Sequence, residues 1–196
     1  MKYTTDYESP LGNILIASDG EGLCGLWFEN QRFYGEGLGK HEHIDLSLVY
    51  PDYVEMLTGV FASFRETMTW LNMYFRGEEP DFTPKLSVSG TEFQKEVWDI
   101  LLTIPYGKTM TYGQIAELIA EKHGIKKMSA QAVGNAVGHN SISIIIPCHR
   151  VIGAGGNLTG YGGGINRKIS LLEIEGCRTE DFFIPCPKKK NDDHNG

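Results

Sequence analysis

The sequence predicts an α/β N-terminal domain, made of a small sheet plus a helix, followed by a mainly α, winged-helix-like domain. Three features lead to this prediction: a strand pair joined by a hairpin signal, one long apolar helical stripe, and three capped helix starts that follow a linker rich in proline and glycine. The predicted domains are residues 1–85 and 86–180, and residues 181–196 are predicted to form a disordered tail.

The first domain begins with a hairpin and continues into a helix. Residues 13–18 predict a strand, Asp19-Gly20 predicts a tight turn, and residues 23–29 predict the return strand. Apolar residues then recur at spacings of three and four, which predicts a helix packed on the sheet and broken near Gly59. The residues of this stripe are Val54, Leu57, Phe61, Phe64, Met68, Leu71 and Phe75.

The second domain is predicted from helix caps. Residues 77–90 form the linker, and capping boxes begin at Thr91 and Thr111, each followed three residues later by glutamine. Ser129 is a candidate N-cap for a third helix that ends near Gly138. Two short helices joined by a turn, the second of them capped, fit a helix-turn-helix.

The third predicted helix carries almost no side-chain bulk. Its small residues are Ala130, Ala132, Gly134, Ala136 and Gly138. Glycine inside a helix costs about 1 kcal/mol relative to alanine, so a thin helix must have a use. Close packing on another helix and close approach to a nucleic-acid groove both remain open on these residues alone.

Composition and charge narrow the function classes. The chain has 196 residues, 41% hydrophobic and 22% charged, which excludes a largely disordered chain and allows a core without disulfide or metal staples. The net charge of −7 is uneven: residues 1–85 hold 6 basic and 14 acidic residues, whereas residues 86–180 hold 9 and 8. A nucleic-acid surface is therefore expected only in the second half.

The compartment is predicted from the N-terminus and the cysteines. No apolar run is long enough for a transmembrane helix, and the first ten residues carry Asp6 and Glu8 without an apolar segment, so neither a membrane span nor a signal peptide is expected. The four cysteines show no CxxC pairing, which favours a reducing cytoplasm over a disulfide scaffold.

The last part of the chain holds the candidate chemistry. Residues 142–146 predict a buried strand that leads into Pro-Cys-His-Arg at residues 147–150. A glycine-rich loop over residues 153–164 follows, and Asn166 is predicted to cap a last helix that ends near Glu175.

A histidine beside a cysteine can take the thiol proton and leave the nucleophilic thiolate. Cys148 and His149 can cooperate only if the chain turns between them, because neighbouring side chains on a strand point to opposite faces. The imidazole also needs an orienting acceptor, for which Glu173 and Glu175 are candidates. The alternative is an inert buried thiol beside a surface histidine.

Several segments in one order resemble a known family. Asn140 stands eight residues before Cys148, and the segments are FQKEVWDILLTIPYGKTMTYGQIA, AVGNAVGHN, IIIPCHRVIG, LTGYGGG and RKISLLEIEG. Together they resemble the active-site signature of the O6-alkylguanine-DNA alkyltransferases over residues 90–177. Residues 1–85 resemble that family's N-terminal α/β domain only loosely.

This resemblance implies five catalytic roles. Cys148 would accept the alkyl group, His149 would be its base through a water, and Glu175 would hold the histidine. Asn140 would brace the site. Tyr112 would hydrogen-bond the flipped guanine and help the leaving base to take a proton.

The resemblance also implies a DNA-binding surface in the second domain. The helix over residues 130–138 would be the recognition helix and would lie in the minor groove, where thinness is useful. The implied substrate or DNA contacts are Gln131, Ala130, Ala132, Gly134, Arg150, Val151, Tyr161, Gly162 and Lys168. Two positions depart from the usual pattern: Gln131 stands where many members have a wedging arginine, and Ser141 stands where proline is usual.

The activity implied is DNA repair by stoichiometric transfer of a methyl or small alkyl group from O6-alkylguanine, and from O4-alkylthymine, to Cys148. The product is a thioether without an electrophilic carbonyl, so one turnover per molecule is expected. The partner would be double-stranded DNA with a flipped nucleotide, bound by a monomer without a cofactor.

Alternatives to this activity remain at this point. They are a damage sensor that holds alkylguanine without transfer, a Cys-His hydrolase, and a plain helix-turn-helix regulator. The presence of Cys148 argues against the sensor, because related non-catalytic proteins carry another residue there. Cys24, His41 and His43 could contribute to a zinc site, but no clear fourth ligand is present, so no metal is predicted.

Overall fold

The computed structural model describes residues 1–48, 50–158 and 160–184. Most of the predicted disordered tail, residues 185–196, lies outside this range. Its first residues are paired, contrary to the prediction: Phe183 forms a bridge to Asn157, and its amide donates to the Gly156 carbonyl at 3.0 Å. Phe182 packs on a small apolar cluster that contains Leu158, so residues 182 and 183 contact the rest of the domain.

A four-stranded sheet forms the first half, in the order β3-β2-β1-β4. Strands β1, β2 and β3 are antiparallel, and β4 runs parallel to β1. The predicted hairpin is confirmed as β2 and β3. The sequence did not indicate β1, since the residues it buries completely are Thr4 and Thr5. The strands are Lys2–Ser9, Gly12–Ser18, Leu23–Phe28 and His41–His43.

Two helices follow the sheet where one broken stripe was predicted. Helix α1 spans Pro51–Met56 and α2 spans Thr58–Phe75, so the break lies at Leu57, close to the predicted Gly59. Helix α2 packs on β1, β2 and β3. A Cβ at Gly59 would collide with the carbonyl of Gly20 in the hairpin turn, so glycine allows the helix to approach the sheet this closely.

The capped helices of the second half are confirmed. Both capping boxes, at Thr91 and Thr111, make their reciprocal hydrogen bonds, and the Ser129 side chain accepts from the Ala132 amide. Helix α5 packs against α3 and α4, and Trp98 donates its indole N–H to the Ala136 carbonyl at 2.9 Å. These helices are α3 (Glu92–Leu102), α4 (Tyr112–Lys122) and α5 (Ala130–Gly138), with a short parallel pair of strands, β5 (Met110–Thr111) and β6 (Val151–Ile152).

The predicted strand over residues 142–146 is wrong. The segment is a buried turn in which Ile144 has φ 69°, and the Ile146 amide donates back to the Ile142 carbonyl at 3.1 Å. One bridge, between Ile142 and Leu26 of β3, joins this turn to the sheet. The isoleucines are apolar because the turn lies in the core shared by both halves.

The last helix, α6, spans Ile165–Ile174 and ends just before Glu175, as predicted. The predicted cap at Asn166 is wrong: the N-cap position is Gly164, and no side chain caps the helix. Asn166 lies within the first turn instead. Of the helices described, none combines the length and the apolar character needed to cross a membrane.

Candidate active site

Cys148 is buried at the start of a short 3₁₀ helix, Cys148–Arg150, directly after the isoleucine turn. Burial raises the pKa of its thiol, and this effect exceeds the opposing effects of the Asn140 hydrogen bond and the Lys168 charge. The sulfur is therefore mainly protonated at neutral pH, and a base is needed to produce the thiolate.

Asn140 holds the turn that carries the cysteine. Its Nδ2 donates to the carbonyls of Ile142 at 3.3 Å and Ile146 at 2.8 Å, and to Cys148 Sγ at 3.1 Å. Its Oδ1 accepts from the Ile142 amide at 2.9 Å. The same two carbonyls also accept from the backbone amides of Ile146, at 3.1 Å, and Cys148, at 2.8 Å. The buried Asn140 amide thus adds a second donor to each carbonyl, and it also fixes the sulfur.

His149 and Glu175 form a fully buried pair. The 3₁₀ turn directs the His149 ring towards the end of α6, where Nε2 donates to Glu175 Oε1 at 2.6 Å. Burial lowers the pKa of His149 in spite of the Glu175 hydrogen bond, so the ring is neutral and can accept a proton. Its Nδ1 is buried and has no hydrogen-bond partner among the described residues.

Glu175, rather than Glu173, is the acceptor that orients the histidine. Arg150 Nε donates to its Oε2 at 2.9 Å, the Gly107 amide donates to the same oxygen at 3.0 Å, and the Tyr74 hydroxyl donates to Oε1 at 2.8 Å. Burial alone would raise the pKa of Glu175, but His149 and Arg150 outweigh it and lower the pKa to about 2.

Arg150, which was predicted as a DNA contact, has a buried side chain in the structure. Besides Glu175, its guanidinium donates to the Ile104 carbonyl at 2.6 Å, and the side chain is buried. With its donors committed to protein acceptors, Arg150 lies in the histidine–carboxylate network and does not line the cleft described below.

Sequence reasoning missed Tyr74, which reaches the pair from the other half of the chain. It lies on α2, and its hydroxyl is 2.8 Å from Glu175 Oε1 and 3.3 Å from His149 Nε2. Desolvation and the charge of Glu175 raise the pKa of Tyr74 well above its usual value, so it stays a donor. Its place beside the predicted stripe residues Leu71 and Phe75 gave no signal beyond core packing.

An open cleft of about 820 Å³ lies beside the cysteine. Helix α5 forms one wall with Gln131, Ala132 and Gly134, and the loop at Tyr161 and Gly162 forms the other. These five predicted contact residues are therefore brought together, and Tyr112 at the start of α4 joins them. The remaining predicted contacts do not line the cleft: these are Ala130, Arg150, Val151 and Lys168.

Cys148 itself lines a narrow pocket beside that cleft. Its volume is about 10 Å³, which is room for about one water, and Asn140, Ser143 and Tyr161 are among its walls. Residues 160–163 cover it. This space is too small for a purine base, so the lining of the pocket must rearrange before a base reaches the sulfur.

Tyr112 touches the same loop. Its hydroxyl lies 3.5 Å from the Gly160 carbonyl, and burial raises its pKa to about 12. Gly160 has φ +96°, and a Cβ there would lie 2.7 Å from the Tyr112 hydroxyl. Glycine is thus required at this position both for the backbone conformation and for the contact with Tyr112.

Lys168 is buried behind the cysteine and donates Nζ to the Val151 carbonyl at 2.6 Å. Burial lowers its pKa to about 8, and the Cys148 thiolate would oppose this shift. The charge of Lys168 therefore stabilises a thiolate at Cys148. The Val151 carbonyl accepts a hydrogen bond from Lys168 in this structure.

Two sequence profiles of one family match nearly the whole described chain. The profile of the 6-O-methylguanine DNA methyltransferase ribonuclease-like domain matches residues 1–88, and that of the DNA binding domain matches residues 92–177. The chain belongs to the 6-O-methylguanine DNA methyltransferase family.

Relatives of this methyltransferase family resemble the chain over most of its length. A Mycobacterium bovis protein named methylated-DNA–protein-cysteine methyltransferase is 55% identical over 171 residues, 87% of this chain and 90% of the relative. A Methanosarcina acetivorans protein of the same name is 43% identical over 174 residues, 89% and 98% of the two chains. The resemblance inferred from the sequence is confirmed.

Among solved structures, that of Mycobacterium tuberculosis OGT in complex with DNA superposes with a TM-score of 0.70 at 39% identity. It covers 92% of this chain and 94% of that chain. The predicted fold class, a small N-terminal sheet domain followed by a mainly α domain with the cysteine, is confirmed for this methyltransferase.

A zinc site in the N-terminal half of the methyltransferase has no support from the strand order. Cys24 lies on β3, whereas His41 and His43 lie on β4 at the opposite edge of the sheet. His43 instead approaches Asp6 Oδ2 at 3.4 Å. Within the described part of the chain, no group of three or more candidate ligands could hold a metal.

The buried carboxylate predicts a pH dependence of stability for the methyltransferase. The pKa of Glu175 is about 2 in the folded protein and near 4.3 when unfolded, so its contribution is present above about pH 4 and is lost as the pH falls towards 2. We expect Glu175→Gln to lower the free energy of unfolding at pH 7 by about 3–5 kcal/mol, because Arg150 loses its buried partner.

Chemical denaturation of the wild type and of Glu175→Gln between pH 7 and pH 2.5 measures the difference in their free energies of unfolding. The difference in free energy of unfolding between the two proteins should become smaller as the pH falls, because Glu175 of the wild type becomes protonated. A difference that stays constant over that range would contradict an ionised, pair-bonded Glu175.

Proposed function

We propose that this chain repairs alkylated DNA by transferring a methyl or small alkyl group from O6 of guanine, and from O4 of thymine, to Sγ of Cys148. The observation that carries the proposal is a buried cysteine followed by a neutral histidine that is hydrogen-bonded to an ionised carboxylate, beside a cleft walled by a thin helix. The names of the relatives and the DNA complex of the Mycobacterium tuberculosis protein support it.

The base for the cysteine is His149. Its Nε2 proton is held by Glu175, which leaves Nδ1 as the free acceptor. Nδ1 takes the thiol proton through a water, and the nearby Lys168 charge favours the resulting thiolate. Neither step requires a cofactor.

The thiolate then attacks the alkyl carbon. The new carbon–sulfur bond forms as the bond from that carbon to the guanine oxygen breaks, and the electron pair stays on the base. Tyr112, a protonated phenol at the cleft wall, donates to the leaving base and offsets its developing charge. The thioether product has no carbonyl that water can attack, so the protein acts once.

Access to the sulfur requires base flipping. The alkyl group lies on a base edge inside the duplex, so the nucleotide must leave the stack, at a cost of a few kcal/mol. In this proposal helix α5, which lines the cleft with Ala132 and Gly134, enters the minor groove, and Gln131 fills the vacated gap. Glutamine fills space and forms hydrogen bonds but adds no charge. Ala130, exposed at the start of the helix, is proposed as a flanking DNA contact.

The organisation proposed is a monomer with an N-terminal domain over residues 1–85 and the DNA-binding alkyltransferase domain over 86–180. A cytoplasmic location is supported by the free thiols of Cys24, Cys148 and Cys177 among the described residues.

Tyr161 and Gly162 are proposed to contact the flipped base from the loop that covers the pocket.

Intact mass after incubation with an O6-methylguanine duplex tests the function. We expect one added methyl group per molecule, mapped to the peptide that contains Cys148, and repaired DNA that never exceeds the moles of protein. The control is Cys148→Ser, which should gain no mass. A methyl group elsewhere on the chain would contradict the proposal, and ester hydrolysis with turnover would favour a Cys-His hydrolase.

A further inference from the structure

The outer wall of the cleft includes residues from the N-terminal half. Arg32 and Phe33 lie between β3 and β4, and they face Gln131 and Tyr112 across the cleft. The uneven charge of the sequence predicts a nucleic-acid surface only in the second half of the chain. The structure therefore assigns part of the cleft to the acidic half.

Several contacts hold this segment in place. The Arg32 amide donates to the Gly162 carbonyl at 2.9 Å, and the Phe33 ring stacks on the His139 ring with centroids 4.2 Å apart. His139 in turn bonds Glu36 through Nδ1 at 2.9 Å. Phe33 has φ 61°, a conformation that a bulky residue adopts only when its surroundings impose it.

The Arg32 guanidinium itself is available. It lies over the Phe33 ring at 4.6 Å from the centroid, is exposed, and makes no salt bridge or side-chain hydrogen bond within the described ranges. It is also the one cationic side chain among the described residues that line the cleft. The ring supports the cation on one side and leaves its donors free for a ligand.

The recognition helix cannot supply this charge. Helix α5 has the sequence AQAVGNAVG and carries no basic residue, and Gln131 occupies its first turn. Duplex DNA presents closely spaced phosphates on both sides of the minor groove, and cations that neutralise them provide much of the affinity. A cleft that receives DNA therefore needs a cation on its other wall.

We propose that Arg32 binds a phosphate of the DNA backbone, so that the N-terminal domain forms the second wall of the DNA site and supplies the charge absent from α5. This inference rests on the proposed function. The ligand class is a phosphodiester of duplex DNA, gripped by the arginine beside the loop that covers Cys148.

The test compares Arg32→Ala, Arg32→Lys and wild type with two substrates at several salt concentrations. Second-order rates are measured for an O6-methylguanine duplex and for free O6-benzylguanine, which has no phosphate. We expect Arg32→Ala to react about tenfold more slowly with the duplex at low salt, and its salt dependence to be shallower by about 0.9 in logarithmic slope, the value for one phosphate contact. The free-base rate should fall much less than the duplex rate, because the free base carries no phosphate for Arg32 to bind.

Arg65→Ala is the matched control. Arg65 is exposed on α2, outside the cleft, and its replacement removes the same charge. We expect it to leave the duplex rate and slope at the wild-type values, and Arg32→Lys to keep most of both, because lysine also binds phosphate as a point charge.

Three results would overturn the inference: a wild-type duplex rate and slope in Arg32→Ala, equal slowing of both substrates, or a loss in Arg32→Lys as large as in Arg32→Ala. Failure of the proposed function would be distinct. In that case wild-type protein would gain no methyl group on Cys148 and would react with neither substrate.

Discussion

His149→Ala should slow single-turnover methyl transfer by about 10²–10⁴-fold, the usual contribution of a positioned general base. The Cys148 thiol is protonated at neutral pH because burial raises its pKa, and His149 is the neutral base beside it. Glu175→Ala should lose a comparable factor, since the carboxylate fixes the ring through the 2.6 Å bond to Nε2. The double variant should lose little more than either single one, because the two residues act as a unit.

Rapid-quench measurement of methyl transfer from pH 6 to pH 10 checks this prediction. In His149→Ala the rate should rise towards the wild-type rate as the pH approaches the raised pKa of the thiol, because solvent then removes the proton. Strictly additive losses in the double variant, or a flat pH profile in His149→Ala, would contradict the relay. Thermal melting shows whether the variants remain folded.

Asn140→Asp should damage both stability and transfer. The carboxylate can still accept from the Ile142 amide, but it cannot donate to the Ile142 and Ile146 carbonyls or to Cys148 Sγ. Both carbonyls keep a backbone donor, but the new carboxylate is a buried charge without a cationic partner and faces two carbonyl oxygens. An uncompensated buried charge costs about 3–5 kcal/mol, so we expect a loss of that size in the free energy of unfolding. A negative charge beside the sulfur also raises the thiol pKa, and transfer should slow at least about 100-fold at pH 7.

The matched control is Asn72→Asp. Asn72 is exposed on α2 and only accepts, from the Tyr7 hydroxyl at 2.8 Å, so a carboxylate can replace it. Its stability should change by less than about 0.5 kcal/mol. Denaturant unfolding and single-turnover rates measure both variants. If Asn140→Asp transferred methyl groups at the wild-type rate, the bond to Cys148 would have no part in the reaction.

The features predicted correctly from sequence are local ones. The capping boxes at Thr91 and Thr111 and the hairpin at Asp19-Gly20 depend on residues within a few positions of each other, so a linear pattern contains all the information. The wrongly predicted strand over residues 142–146 shows the limit of prediction from a local pattern. An apolar run predicts burial, but the Asn140 side chain pairs the backbone of that run and makes a turn possible.

The candidate site could also be predicted only in part, because some of its residues are far apart in the sequence. Cys148 and His149 could be named because they are adjacent in the sequence, and the resemblance to a family selected Glu175 over Glu173. Tyr74 and Arg32, in contrast, join the site through packing between halves that are distant in sequence. Tyr74 is 101 residues from the carboxylate it bonds. Arg150, adjacent to the relay histidine, was predicted on the DNA surface because a basic residue gives no local sign of a buried acceptor for it.

The narrow pocket over Cys148 has a consequence for chemical selectivity. A protein that can react only once is lost if its thiol meets an oxidant, a disulfide or a free alkylating agent first. Space for about one water leaves little room for in-line approach by disulfides or alkylating agents, and burial keeps the sulfur in its less reactive protonated form. Burial and the narrow pocket therefore lower the rate at which bulky disulfides and free alkylating agents consume the thiol, and more molecules keep their methyl-accepting capacity until they meet damaged DNA.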